Sequence, residues 1–208
     1  MRPGKNGDAE ISAFSVLCYH GLTVDAVHVK NLKLKRLFLL RHAKSSWADP
    51  GRADFERPLN GRGRKAALAM AEWLAARNLA PDLILCSAAR RTRETLAAVR
   101  PALGPTAEVA IEQRLYLAEE DQLFARLVEL DDLAHPPASV ILIGHNPGLG
   151  DLALRLIPRE QQEIRRRIAA KFPTCAFVDL SFPCDAWDAI DARCATLNAY
   201  LVPSELEK

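Results

Sequence analysis

Short apolar runs alternate along the chain with stretches whose apolar residues recur every three or four positions. Residues 37–40 are Leu-Phe-Leu-Leu bounded by charge, which reads as a strand buried on both faces. Over 59–78, Ala66, Ala67, Met70, Trp73 and Leu74 fall on one helical stripe. Residues 82–86 form a second buried strand, and Ser87 stands where it would cap a helix reaching Val99, with Pro101 and Gly104 stopping it. A short strand at 108–111 and a helix over 119–130, striped by Leu123, Leu127 and Leu130, come next. A β-branched run at 139–143 and a helix over 149–157 follow, and 175–182 and 195–202 alternate as an antiparallel pair would. Residues 1–33 show no clear period and are expected to be an extension ahead of a domain at 34–208.

Strands alternating with helices predict a three-layer α/β/α sandwich with a mainly parallel sheet and an antiparallel C-terminal edge pair. Arg41-His42, Ser87 to Arg91 and Gly144-His145 each fall just past the C-terminal end of a predicted strand, where open parallel sheets place their ligands. Three distant segments should therefore meet in one crevice. Arg165-Arg166-Arg167 reads as a solvated helix face.

Charge narrows the partners. Lys and Arg number 28 against 26 for Asp and Glu, a net of +2, too even a balance to draw in nucleic acid or an anionic membrane, and Trp47, Trp73 and Trp187 are too scattered to stack bases. Any anion site must be local. The five cysteines are odd in number and include no Cys-x-x-Cys pair, which fits reduced thiols and a cytoplasmic protein. The apolar stretch over 11–24 is broken by Tyr19, His20 and Gly21, unlike a secretion signal. Cys86 lacks the flanking arginine arrangement of a cysteine-based phosphatase loop and reads as core.

Two histidines and several arginines without a clustered set of carboxylates make a poor site for a hard metal cation and a good one for a phosphoryl group. Neutral imidazole can attack phosphorus, and the imidazolium can donate to its oxygens. No metal or organic cofactor is called for. His20, His28 and His135 have no comparable neighbours in the pattern.

Leu39-Leu40-Arg41-His42-Ala43-Lys44 resembles the Arg-His-Gly signature of the histidine phosphatase superfamily, the phosphoglycerate mutase-like proteins. Arg41 to Trp47, Arg57-Pro58-Leu59-Asn60-Gly61-Arg62-Gly63, Ser87 to Thr95, Gly144 to Leu149 and Lys171-Phe172-Pro173-Thr174 are similar, in order, to the motifs of its SixA-type phosphohistidine phosphatase branch. The resemblance spans 37–202 and implies a phosphoglycerate mutase-like fold. It implies His42 as the nucleophile that becomes phosphorylated, with Arg41, Arg91 and a protonated His145 holding the phosphoryl oxygens. Arg90 is one position out of register with the motif. Ser45 and Asn60 serve equally well as phosphate contacts or as turn and cap residues.

The implied substrate is a phosphohistidine in a protein such as a histidine-containing phosphotransfer domain. The alternatives are a phosphatase for a small phosphorylated metabolite and a non-catalytic phosphate-binding module; mutase activity would need a long capping insertion that the chain does not evidently carry. Superfamily members that cleave alcohol phosphates supply a carboxylic acid after the second motif. Glu119, Glu120 and Asp121 are the possible acid here, although they read more simply as helix-start acids. Activity is expected to fall in acid as His42 protonates within the imidazole range.

Overall fold

The structure, a computed structural model, describes residues 34–206, so the stretch 1–33 read as an extension lies outside the described residues. The strands are β1 (Lys35–Arg41), β2 (Leu83–Ser87), β3 (Glu108–Glu112), β4 (Ser139–Gly144), β5 (Phe177–Phe182) and β6 (Thr196–Leu201). They form one sheet in the order β3-β2-β4-β1-β5-β6, parallel from β3 to β1 and antiparallel at β5 and β6. The helices are α1 (Gly61–Ala75), α2 (Arg90–Val99), α3 (Glu120–Val128), α4 (Gly148–Leu156), α5 (Gln162–Ala170) and the short α6 (Pro203–Leu206).

The continuous apolar runs fill both faces of the sheet. Leu37, Leu39, Leu85 and Leu142 pack on one side with Leu127 of α3, Leu152 of α4 and Ile168 of α5. Phe38, Leu40, Ile84 and Ile143 pack on the other with Met70 and Leu74 of α1 and Leu96 and Val99 of α2. This is the expected three-layer sandwich. The neighbouring strands β1 and β4 send their following helices to opposite faces, so a crevice opens between their C-terminal ends, which the register pairs as Arg41 with Gly144.

Two local readings are corrected. Ser87 ends β2 instead of capping α2, whose N-cap is Ala89 without a side-chain bond, because the strand continues one residue further and turns the hydroxyl into the crevice. Arg165 is not part of a purely solvated face: its guanidinium donates to the carbonyls of Leu154, at 2.5 Å, and Ile157, at 2.7 Å, satisfying acceptors that the end of α4 leaves open. No helix among the described residues is long and apolar enough to cross a membrane.

Candidate active site

The segment after β1 is clamped from several sides. The amide of His42 donates to the carbonyl of Gly144 at 3.0 Å, and the amide of Cys175 donates to the carbonyls of Arg41 and His42. Thr95 of α2 accepts from the amide of Ala43 at 3.0 Å and donates to the carbonyl of Arg91 at 2.7 Å, tying the two motifs together. Asn60 caps α1 by accepting from the amide of Gly63 at 2.8 Å, and its own amide donates to the carbonyl of Lys44 at 2.9 Å. Gly63 lies so close to that carbonyl that a Cβ would fall 2.1 Å from the oxygen, so glycine is required for this approach. Asn60 is thus a capping residue, whereas Ser45 lines the crevice.

The crevice, about 360 Å³, brings together Arg41, His42, Arg91 and His145. Both histidines are buried, at 7% and 3% exposure, and their ring centroids stand 5.2 Å apart. His42 Nδ1 lies 2.8 Å from the carbonyl oxygen of Ala43, which can only accept. Nδ1 therefore carries the proton and Nε2 keeps a free lone pair in the neutral ring. Arg91 Nη2 stands 3.2 Å from His145 Nδ1 and can only donate to it, so the neutral His145 ring carries its proton on Nε2 and donates to Ser87 Oγ at 2.8 Å. Half-buried Arg41 donates from Nη1 to the carbonyl of Phe172 at 2.5 Å, and its Nε is buried without a partner among the described residues, which leaves it donor capacity for an anion.

Burial pushes the His42 imidazole down to about 3; Arg91, Arg41 and Arg57 push the same way and the Ala43 carbonyl opposes them. His145 is likewise pushed down to about 3, first by burial and then by His42 and Arg91, against the pull of Asp54. Both rings are held neutral at neutral pH, because Asp54 does not offset burial and the arginines.

Asp54 is a site residue that the sequence pattern does not single out. It lies in a single 3-10 turn, Asp54–Glu56, within the irregular segment between β1 and α1. Its carboxylate accepts from Arg57 at 2.7 Å, from Arg91 at 3.0 Å and from the Tyr116 hydroxyl at 2.7 Å. Burial raises its pKa, but Tyr116, Arg57 and Arg91 outweigh that and hold it at about 2. Its position three residues before Arg57-Pro58-Leu59 was the available signal. Arg57, 6% exposed, also donates to Ser45 Oγ and to the carbonyl of Ser46.

Glu119, Glu120 and Asp121 are not in the crevice. Glu119 is the N-cap of α3 in a reciprocal capping box with Gln122, and Glu120 and Asp121 pair with Arg155 of α4. They are helix-start acids, and the possible-acid assignment is corrected on that ground. Arg90 pairs with Glu94 outside the crevice, His135 is exposed on a loop, and burial pushes the Cys86 thiol up to about 12, as befits core.

Comparison with known proteins adds four similarities. The sequence profile of the histidine phosphatase superfamily (branch 1) matches residues 37–119. An uncharacterized protein of Mycobacterium tuberculosis is 34% identical over 166 residues, covering 79% of this chain and 99% of its own. Among solved structures, a proposed phosphohistidine phosphatase SixA of Nakamurella multipartitia superposes with a TM-score of 0.67 at 27% identity, over 82% of this chain and 96% of its own. One from Agrobacterium tumefaciens does so with a TM-score of 0.65 at 30% identity, over 81% and 98%.

Proposed function

This chain belongs to the histidine phosphatase superfamily, has its phosphoglycerate mutase-like fold and is a phosphatase; on that premise we propose that it removes the phosphoryl group from phosphohistidine in a protein, with His42 as nucleophile. The observation that carries the reading is the His42 ring: Nδ1 is committed to the Ala43 carbonyl, and Nε2 is left as a buried free base beside Arg41 and Arg91.

Nε2 attacks phosphorus, and the phosphorus–nitrogen bond of the substrate, whose other ring nitrogen carries a proton, breaks with its electron pair passing to the nitrogen of the departing neutral imidazole. A water then attacks the phosphorylated His42, returning the bonding pair to Nε2 and releasing phosphate and a proton. Arg41 and Arg91 donate to the equatorial oxygens, where most of the stabilisation in phosphoryl transfer is found. His145, held by Ser87 and Arg91, lines the same wall. A dianionic phosphoryl group opposes the arginine field and favours the imidazolium of His145 in the complex.

The leaving group decides between substrate classes. Among the described residues that line the crevice, Asp54 supplies the carboxyl group, and Tyr116, Arg57 and Arg91 keep it ionised, so these residues hold no carboxylic proton to give an alkoxide. A phosphohistidine protonated on its other ring nitrogen leaves as neutral imidazole and needs no such proton. The SixA proteins of Nakamurella multipartitia and Agrobacterium tumefaciens, which this chain resembles, are themselves proposed to act on phosphohistidine.

The test compares phosphate release from a phosphohistidine-bearing phosphotransfer protein and from an alcohol phosphate ester, in the wild type and His42→Ala. Release from the phosphoprotein, lost in the variant together with acid-labile 32P label on the chain, is the expected result. Preferential turnover of the ester would move the substrate to small metabolites, and phosphate binding without label or release would leave only a binding module.

A further inference from the structure

We infer that Trp47 and Leu117 form a prebuilt apolar rim that contacts the protein surrounding the phosphohistidine and so selects macromolecular over small substrates; this rests on the phosphohistidine reading of the site.

Of the large apolar side chains left exposed among the described residues, Trp47, at 75%, and Leu117, at 50%, are the two that border the catalytic crevice. They come from different segments, one following β1 and the other following β3. With phosphorus held at His42 on the floor, a leaving group exits through the mouth they flank.

Each is held in place by something other than its own burial. The Trp47 ring lies against the Arg57 guanidinium, whose carbon is 3.1 Å from the ring centroid. Arg57 is itself buried and fixed by Asp54, Ser45 and the carbonyl of Ser46. The indole thus has one face on a rigid support and the other toward solvent. An aromatic fixed in this way loses little conformational freedom on binding. Leu117 has φ of 52°, in the left-handed region that a leucine rarely adopts. Its neighbours enforce this: Tyr116 donates to Asp54, and the carbonyl of Ala118 abuts Gly148, where a Cβ would fall 2.0 Å from the oxygen. A strained, half-exposed leucine at the mouth points to a binding use.

The occupant follows from the chemistry of the mouth. A small polar phosphate compound is held by the floor and gains little from two apolar side chains at the edge. Lys44, exposed at the same mouth and without a side-chain partner among the described residues, adds a cation there. The fitting partner is a folded protein whose phosphohistidine is flanked by apolar side chains and an acidic one.

The test measures kcat/KM on a phosphorylated phosphotransfer protein and on free phosphohistidine, which shares the phosphorus–nitrogen bond but lacks the surrounding surface. Trp47→Ala, an exposed truncation, is expected to lower kcat/KM on the protein by about tenfold or more, mainly through KM, as for an interface anchor. On free phosphohistidine it should stay within about twofold of wild type, the size expected where no contact is lost. Leu117→Gly, which keeps the backbone conformation without strain, should act in the same direction, and Trp47→Phe should restore most of the loss. Equal losses on both substrates, or none on either, would overturn the inference while leaving the phosphohistidine reading intact. A wild type that is a dimer in sedimentation while Trp47→Ala is a monomer would assign the rim to a second copy and overturn it too. A wild type inactive on both substrates would instead sink the phosphohistidine reading, and this inference with it.

Discussion

Arg91 and Asp54 are bonded twice, from Nη1 to the backbone carbonyl at 2.7 Å and from Nη2 to the carboxylate at 3.0 Å, so the arginine best placed to take a phosphoryl oxygen is already held by an anion of the protein. The pair keeps the guanidinium in position, and a bound phosphoryl group must share it with a neighbouring negative charge.

Removing that charge while keeping the shape should therefore tighten anion binding. For Asp54→Asn we expect the inhibition constant of inorganic phosphate to fall several-fold, because like charges within a few ångströms repel by about 1 kcal/mol or more even in a partly solvated site. Competitive inhibition assays with phosphate and tungstate measure it. An unchanged constant would mean that Asp54 and the anion do not share Arg91.

Arg91→Ala should cost far more than a surface arginine would. Arg91 is 4% exposed and serves Asp54 and His145 at once, so truncation removes a phosphoryl donor and strips both of a partner. A loss of about 100-fold or more in kcat/KM is expected, the usual scale for one buried donor to a transition-state oxyanion. Arg91→Lys should recover little, since a single ammonium cannot reproduce the planar fork. Near-complete activity in the lysine variant would overturn the fork argument.

Much of this site was legible in the chain, for a physical reason. Runs such as 37–40 and 139–143 are apolar at every position because parallel strands are buried on both faces, and the residues just past the end of each run must then stand at the crevice. Hence His42 and His145 could be placed. Asp54 could not, because it lies in an irregular segment where no period links sequence to direction. Ser87 misled because a serine ahead of a helical run is usually a cap; only the pairing of β2, which runs through Ser87, aims its hydroxyl at His145. Glu119 to Asp121 fit the bland reading, since helix starts favour acids whatever the function.

The pH profile should depart from that of an ordinary histidine enzyme. With His42 at about 3 in the free protein, its lone pair stays available well below the imidazole range, so kcat/KM should show no loss attributable to His42 between pH 7 and pH 5. This replaces the expectation drawn from an unperturbed imidazole. Rates measured across that window, corrected for protonation and acid lability of the phosphohistidine substrate, test it; an inflection near 6.5 that disappears in no other histidine variant would show that burial does not hold His42 neutral.

Stability should carry the opposite trend. His42 and His145 bind a proton near 6.5 when unfolded and near 3 when folded, so between those values the unfolded chain takes up protons that the folded one refuses. The sign is therefore a loss of stability as pH falls from about 6.5 toward 3, with Asp54 extending the loss from its usual range down to about 2. Tm measured from pH 7 to pH 4 should fall, and His42→Gln should flatten part of the slope.

Gly63→Ala should damage the site without touching it. The added Cβ would stand 2.1 Å from the Lys44 carbonyl oxygen, and that carbonyl belongs to the segment that places His42 and accepts from the Asn60 amide. Backbone on both sides leaves no flexible side chain to give way, so the cap or the His42 segment must move. A destabilisation of about 1–3 kcal/mol is expected, the range for overpacking a tight contact. A fall in kcat larger than the change in Tm accounts for should accompany it, because displacing a nucleophile by a fraction of an ångström is costly. Phosphate should restore part of the lost Tm by binding only the folded form. A variant with wild-type Tm and kcat would show that the start of α1 does not hold the His42 segment in place.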